Sequence, residues 1–176
     1  MCILFTKIST GNDVIVGITD TGIYMDHDQF DQNSPKPFNR FDMKARKIVH
    51  YETYANSGDE SDEVTCGHGT HVSGIIAGSS LKGYMSNYQN FSFNTGIASS
   101  ARIAFLDIAL LNPTCANSTN SSVSCKVLLK TPKTVEGLFT NQTKAGAKII
   151  SFSWGTEGDS NGDYNEVTLC SITILV

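Results

Sequence analysis

No run of about 18 apolar residues occurs anywhere in the chain, which excludes a helix able to span a bilayer. Basic residues do not outnumber acidic ones: 13 Lys and Arg stand against 17 Asp and Glu, for a net charge of −4. That balance leaves no positive stripe for a phosphate backbone, so nucleic acid is not an expected partner. The start, Met1-Cys2-Ile3-Leu4-Phe5-Thr6-Lys7, is too short an apolar patch for a signal peptide and has no basic segment ahead of it. No histidine follows His71. Gly158-Asp159-Ser160-Asn161-Gly162 fits G-x-S-x-G, but a nucleophile elbow needs a later histidine, so this match is rejected.

What is present is ordinary for one globular domain. The chain has 176 residues, 40% hydrophobic and 17% charged, enough for a real core. Four N-x-[ST] sequons occur, at Asn90, Asn117, Asn120 and Asn141; in a chain rich in Asn, Ser and Thr, glycosylation and chance both stay open. Cys115 and Cys125 bracket a polar loop that a disulfide would stabilise by roughly 2–3 kcal/mol, and two free thiols are an equal alternative. Cys66 reads as a small buried filler.

The chain is organised around Cys66-Gly67-His68-Gly69-Thr70-His71-Val72-Ser73-Gly74-Ile75-Ile76-Ala77-Gly78. Val72, Ile75 and Ile76 recur at the spacing of one buried helical face. Gly69 and Gly74 each cost about 1 kcal/mol against Ala in a helix interior, so the glycines point to a backbone packed very close to a neighbour. His68 falls in the first turn, where unpaired amides lean positive and disfavour imidazolium. Upstream, Val14-Ile15-Val16-Gly17-Ile18-Thr19 is a β-branched run of the kind buried on both faces of a sheet. It ends at Asp20-Thr21-Gly22, and in open α/β sheets chemistry collects beyond the carboxyl ends of such strands.

These two stretches resemble the subtilisin-like serine peptidases. Ile18-Thr19-Asp20-Thr21-Gly22-Ile23 is similar to the family's catalytic Asp motif, and His68-Gly69-Thr70-His71-Val72-Ser73-Gly74 to its His motif. The resemblance implies that Asp20 orients and His68 acts as the base, in the order Asp, His, Ser. It implies an α/β three-layer fold with a mainly parallel sheet, and hydrolysis of peptide bonds through an acyl-enzyme. Residues 12–176 then form part of a catalytic domain cut before its C-terminal half, with residues 1–11 an uncertain N-terminal segment. Gly96-Ile97-Ala98-Ser99 resembles the family's turn before a core strand, with Ser99 where proline is usual.

Further along, Thr134 to Ala145 has the spacing of an amphipathic helix, followed by a strand in Lys148-Ile149-Ile150-Ser151-Phe152-Ser153-Trp154-Gly155. On the resemblance, Ser153, Trp154 and Gly155 line the substrate cleft and pair with a peptide in extended conformation. No Gly-Thr-Ser-x-Ala nucleophile motif occurs, so the 176 residues alone are expected to be an inactive, aggregation-prone piece of an enzyme. The alternative is a non-catalytic glycoprotein or peptide-binding remnant of such a peptidase. A zinc reading of His68 and His71 fails the H-E-x-x-H spacing, and Asp26-His27-Asp28 reads as a solvated loop. No cofactor is expected; structural calcium at Gly58-Asp59-Glu60-Ser61-Asp62-Glu63 matches no specific loop. The sequons and the resemblance together point to the secretory pathway or the exterior.

Overall fold

The computed structural model describes residues 10–32, 34–55, 67–80, 95–110, 128–154 and 172–174. Cys66, the acidic loop at 58–63, the Cys115–Cys125 region, Gly155, Gly158–Gly162 and the sequons at Asn90, Asn117 and Asn120 lie outside these.

Strands β1 (Ile15–Asp20), β2 (Ile48–Thr53), β3 (Arg102–Asp107), β6 (Ile149–Phe152) and β7 (Ile172–Ile174) form one sheet in the order β2-β3-β1-β6-β7. The β2-β3, β3-β1 and β1-β6 pairings are parallel, and β7 returns antiparallel on β6. A small second ladder joins β4 (Ala109–Leu110) to β5 (Leu128–Leu129). β1 lies in the middle and every one of its six residues is buried, as its unbroken apolar run requires.

Helix α1 (His68–Ala77) and helix α2 (Val135–Lys144) cover opposite faces. The alternation along the strands sorts the core accordingly. Val16, Ile18, Ile103 and Phe105 face α1 together with Tyr51, whose ring stacks on Phe105 at 5.3 Å. Ile15, Val49 and Ala104 pack with Ala145 and Ala147 behind α2. The result is the α/β, three-layer arrangement with a mainly parallel sheet. Among the described residues no helix is long and apolar enough to cross a membrane.

The face of α1 differs from the expected one. Gly69, Ser73 and Ala77 are its buried residues, while Ile75 is 51% exposed. Val72 and Ile76 are partly buried and pack against the core, as their spacing implied. Small side chains sit at the centre because the helix lies too close to the sheet for large ones. At α2, Thr134 caps the N-terminus by accepting from the Gly137 N–H. Asn141 lies within this helix and its amide donates to Glu52 at 3.0 Å.

The turn at 96–98 donates three amides to the end of α1: Gly96 to Gly78 O, Ile97 to Ile75 O and Ala98 to Ile76 O. Lys47 holds that turn from beneath. The residue is 1% exposed and its Nζ donates to Ser99 O at 2.7 Å and Ala101 O at 2.9 Å. Burial pushes Lys47 from its ordinary 10.5 down to about 8, and the nearby Arg46 guanidinium adds to the fall. A neutral amine keeps two N–H groups, enough for both carbonyls. Between pH 8 and pH 10.5 the unfolded chain holds a proton that the folded one has released, so stability climbs with pH in this window. Urea denaturation of the wild type and Lys47→Met is expected to show this: their difference shifts in the wild type's favour across the window, by about 3 kcal/mol at most. A difference independent of pH would contradict the assignment.

Candidate active site

The carboxyl ends of β1 and β3 lie side by side, with Asp20 and Asp107 in register. Both are fully buried acids, yet their surroundings differ. Asp107 Oδ2 accepts from the Tyr51 hydroxyl at 2.8 Å, and its Oδ1 accepts from the Ala109 N–H at 3.0 Å. Its two oxygens are used up in holding the chain together. Asp20 directs everything through Oδ1, which accepts from the Thr21 N–H at 2.7 Å and the Thr21 hydroxyl at 3.1 Å. The third partner is His68 Nδ1, 2.7 Å away. Asp20 Oδ2 is buried with no partner among the described residues.

A carboxylate only accepts, so neutral His68 carries its proton on Nδ1 and leaves the Nε2 lone pair free. The His68 side chain is 48% exposed while that of Asp20 is 0% exposed. A buried acid therefore holds an imidazole whose other edge opens outward. This arrangement can take a proton from a group brought to Nε2 and can stabilise the resulting imidazolium.

Thr21 and two glycines bring the pair together. The Thr21 hydroxyl also accepts from the Gly69 N–H at 3.0 Å, satisfying one of the orphan amides of the α1 N-terminus. Gly67, in the left-handed region at φ 74°, starts the helix without a side-chain cap. At Gly69 the backbone passes so near the turn after β1 that a Cβ would collide with the Gly22 carbonyl and stand 3.2 Å from Asp20 Cβ. The glycine is there to permit contact, as its helix penalty implied.

The structure also places the other sequence-derived residues. Ser153 and Trp154 follow β6, whose pairing with β1 ends at Thr19 and Phe152, so both lie at the Asp20 end of the sheet. Gly155 is outside the described residues. His71 does not join His68: it is exposed and lines a separate cleft of about 510 Å³ with His27, Phe30, Thr70 and Ile75. Among the described residues no group of three His, Cys, Asp or Glu side chains is arranged to hold a metal ion. Thr21 was not singled out from the sequence as a site residue. Its signal was there, a hydroxyl directly after the candidate acid.

The sequence profile of the subtilase family matches residues 11–172. The chain belongs to the subtilase family of serine peptidases. It is 33% identical over 147 residues, 83% of its length, to a Dictyostelium discoideum protein named serine protease/ABC transporter B family protein tagD. It is 30% identical over 172 residues to the CO(2)-response secreted protease of Arabidopsis thaliana, covering 87% of this chain. A third relative, subtilisin-like protease SBT1.3 of the same plant, is 33% identical over 122 residues, 54% of the chain. The aligned parts amount to 7%, 20% and 15% of those proteins' own lengths.

The close approach at Gly69 makes a sharp expectation for this subtilase. Gly69→Ala would gain about 1 kcal/mol of helix propensity and lose more to the clash with Gly22. The expected outcome is a lower unfolding midpoint together with faster solvent exchange of the His68 Nδ1–H by NMR. A midpoint raised above the wild type's would show that the helix does not press on the turn.

Proposed function

We propose that this chain is the N-terminal part of a serine endopeptidase domain, in which Asp20 and His68 supply two members of an Asp-His-Ser triad. One observation carries the reading: a fully buried carboxylate bonded at 2.7 Å to Nδ1 of a half-exposed imidazole. In this reading His68 Nε2 removes the proton from a serine supplied by a later part of the protein, and returns it to the leaving amine. Asp20 holds the Nδ1–H tautomer and offsets the charge that the ring acquires. The hydrolysis then runs through an acyl-enzyme and a deacylating water.

The substrate is a peptide or protein segment in extended conformation. Ser153, Trp154 and Gly155 follow a strand whose pairing with β1 stops at Phe152, and backbone that leaves a ladder at that point suits the addition of a peptide strand. The name of the CO(2)-response secreted protease supports action in the secretory pathway or outside the cell.

The test is to read the transcript beyond codon 176, express the extended chain, and assay hydrolysis of a peptide library. A downstream Gly-Thr-Ser-x-Ala and measurable hydrolysis are expected. Asp20→Asn should then lower kcat by about 10⁴-fold, the loss that this change causes in Ser-His-Asp peptidases, and His68→Ala should lower it at least as far. Hydrolysis that survives both substitutions would sink the proposal.

A further inference from the structure

The candidate acid is aimed by its backbone as well as by the bonds at Oδ1. Asp20 Oδ2 has no partner among the described residues, so the carboxylate's described bonds all run through Oδ1 and its aim depends on the main chain as well. The two peptides flanking Asp20 must therefore be held from outside. On the β3 side the Ile108 N–H donates to Asp20 O at 3.0 Å. On the β6 side the ladder has ended at Thr19 and Phe152, and the Thr19 carbonyl, which belongs to the peptide leading into Asp20, needs another donor. The indole Nε1–H of Trp154 takes that place at 3.0 Å.

The ring itself is fixed. It meets Phe152 in a T-shaped pair at 6.1 Å and 86°, and Phe152 is set in turn against Phe139 of α2 at 5.6 Å and 83°. One residue earlier, Gln142 of α2 donates to Ile18 O and to the Thr19 hydroxyl, both at 3.0 Å. Gly17 leaves the room for this amide, since a Cβ there would stand 2.9 Å from Gln142 Oε1. Gln142 thus holds the peptide before Thr19, and Trp154 alone among the described side chains holds the one that carries Asp20.

We propose that Trp154 is a positioning residue for the acid–base pair: its indole N–H, standing in for a strand amide, sets the backbone from which Asp20 reaches His68. The inference rests on the reading of Asp20 and His68 as that pair. It assigns Trp154 a task apart from any contact with substrate.

Trp154 is the single tryptophan of these 176 residues. In the extended protein, with any later Trp first replaced by Phe, biosynthetic replacement of Trp by benzothienylalanine therefore changes this site alone. Sulfur then stands where the N–H was, in a ring of nearly the same shape. The readout is solvent exchange of the His68 Nδ1–H in the histidine-labelled chain, the signal assigned by its loss in Asp20→Asn. Exchange is expected to quicken about five- to tenfold, the loosening that one lost hydrogen bond of ordinary net strength allows. Trp154→Phe should act in the same direction, with backbone amides of β3 still protected. Unchanged exchange in both proteins overturns this inference and leaves the acid–base pair standing. Lost protection across β3 overturns it too, since Trp154 would then be a general prop of the sheet. A wild-type chain without the Nδ1–H signal overturns the inference and the acid–base pair together.

Discussion

The backbone of α1 touches the backbone of the turn after β1, and the candidate site exists because nothing lies between them. Gly69 against Gly22 sets the distance. The Thr21 hydroxyl then bridges the two elements, donating to Asp20 and accepting from Gly69. With that spacing the first helical residue, His68, has its ring within hydrogen-bond reach of an acid that is wholly buried. A helix displaced outward by one methyl group would lose the bond, because a 2.7 Å contact has no slack.

The sheet serves this contact from both sides. On the α1 face, large apolar residues of β1 and β3 make a firm bed, while the helix presents Gly69, Ser73 and Ala77 to it. On the other face, α2 sends in one polar side chain, Gln142, through the gap left by Gly17. Beyond Phe152 the strand pair opens, and an indole takes over from the ladder. Buried polar groups of this kind are costly unless satisfied. Here Gln142 Nε2 and Trp154 Nε1 both donate to the end of β1.

Asp20 and Asp107 show why a residue's type and position do not by themselves identify a functional acid. Both close a core strand, both are buried, and they are neighbours in register. Asp107 is absorbed by Tyr51 and the Ala109 amide. Among the described residues Asp20 keeps one oxygen unpartnered and gives the other to an imidazole with an open edge. The difference lies in what each acid faces.

Much of the architecture was legible in the residues. The β-branched run of β1 required a central, doubly covered strand, and the Asp-Thr-Gly and His-Gly-Thr-His motifs marked two residues, Asp20 and His68, whose side chains meet. The spacing of α2 could be read to within a residue at each end, and the strand after it to within one residue at its start and three at its end, because periodic burial leaves its mark on composition. Helix α1 was harder. Its periodicity nominated Ile75 for the core, yet the close approach reserved the centre for Gly69, Ser73 and Ala77 and left Ile75 in solvent. Lys47, Gln142 and the indole of Trp154 carried no sequence signal for the bonds they make. Each of those bonds joins residues tens of positions apart, and only the folded chain decides which distant carbonyls lack a donor. The sequence by itself determined the chemistry available and the strand that bears it; the tertiary structure alone decided how near the helix comes and which side chains hold the acid in line.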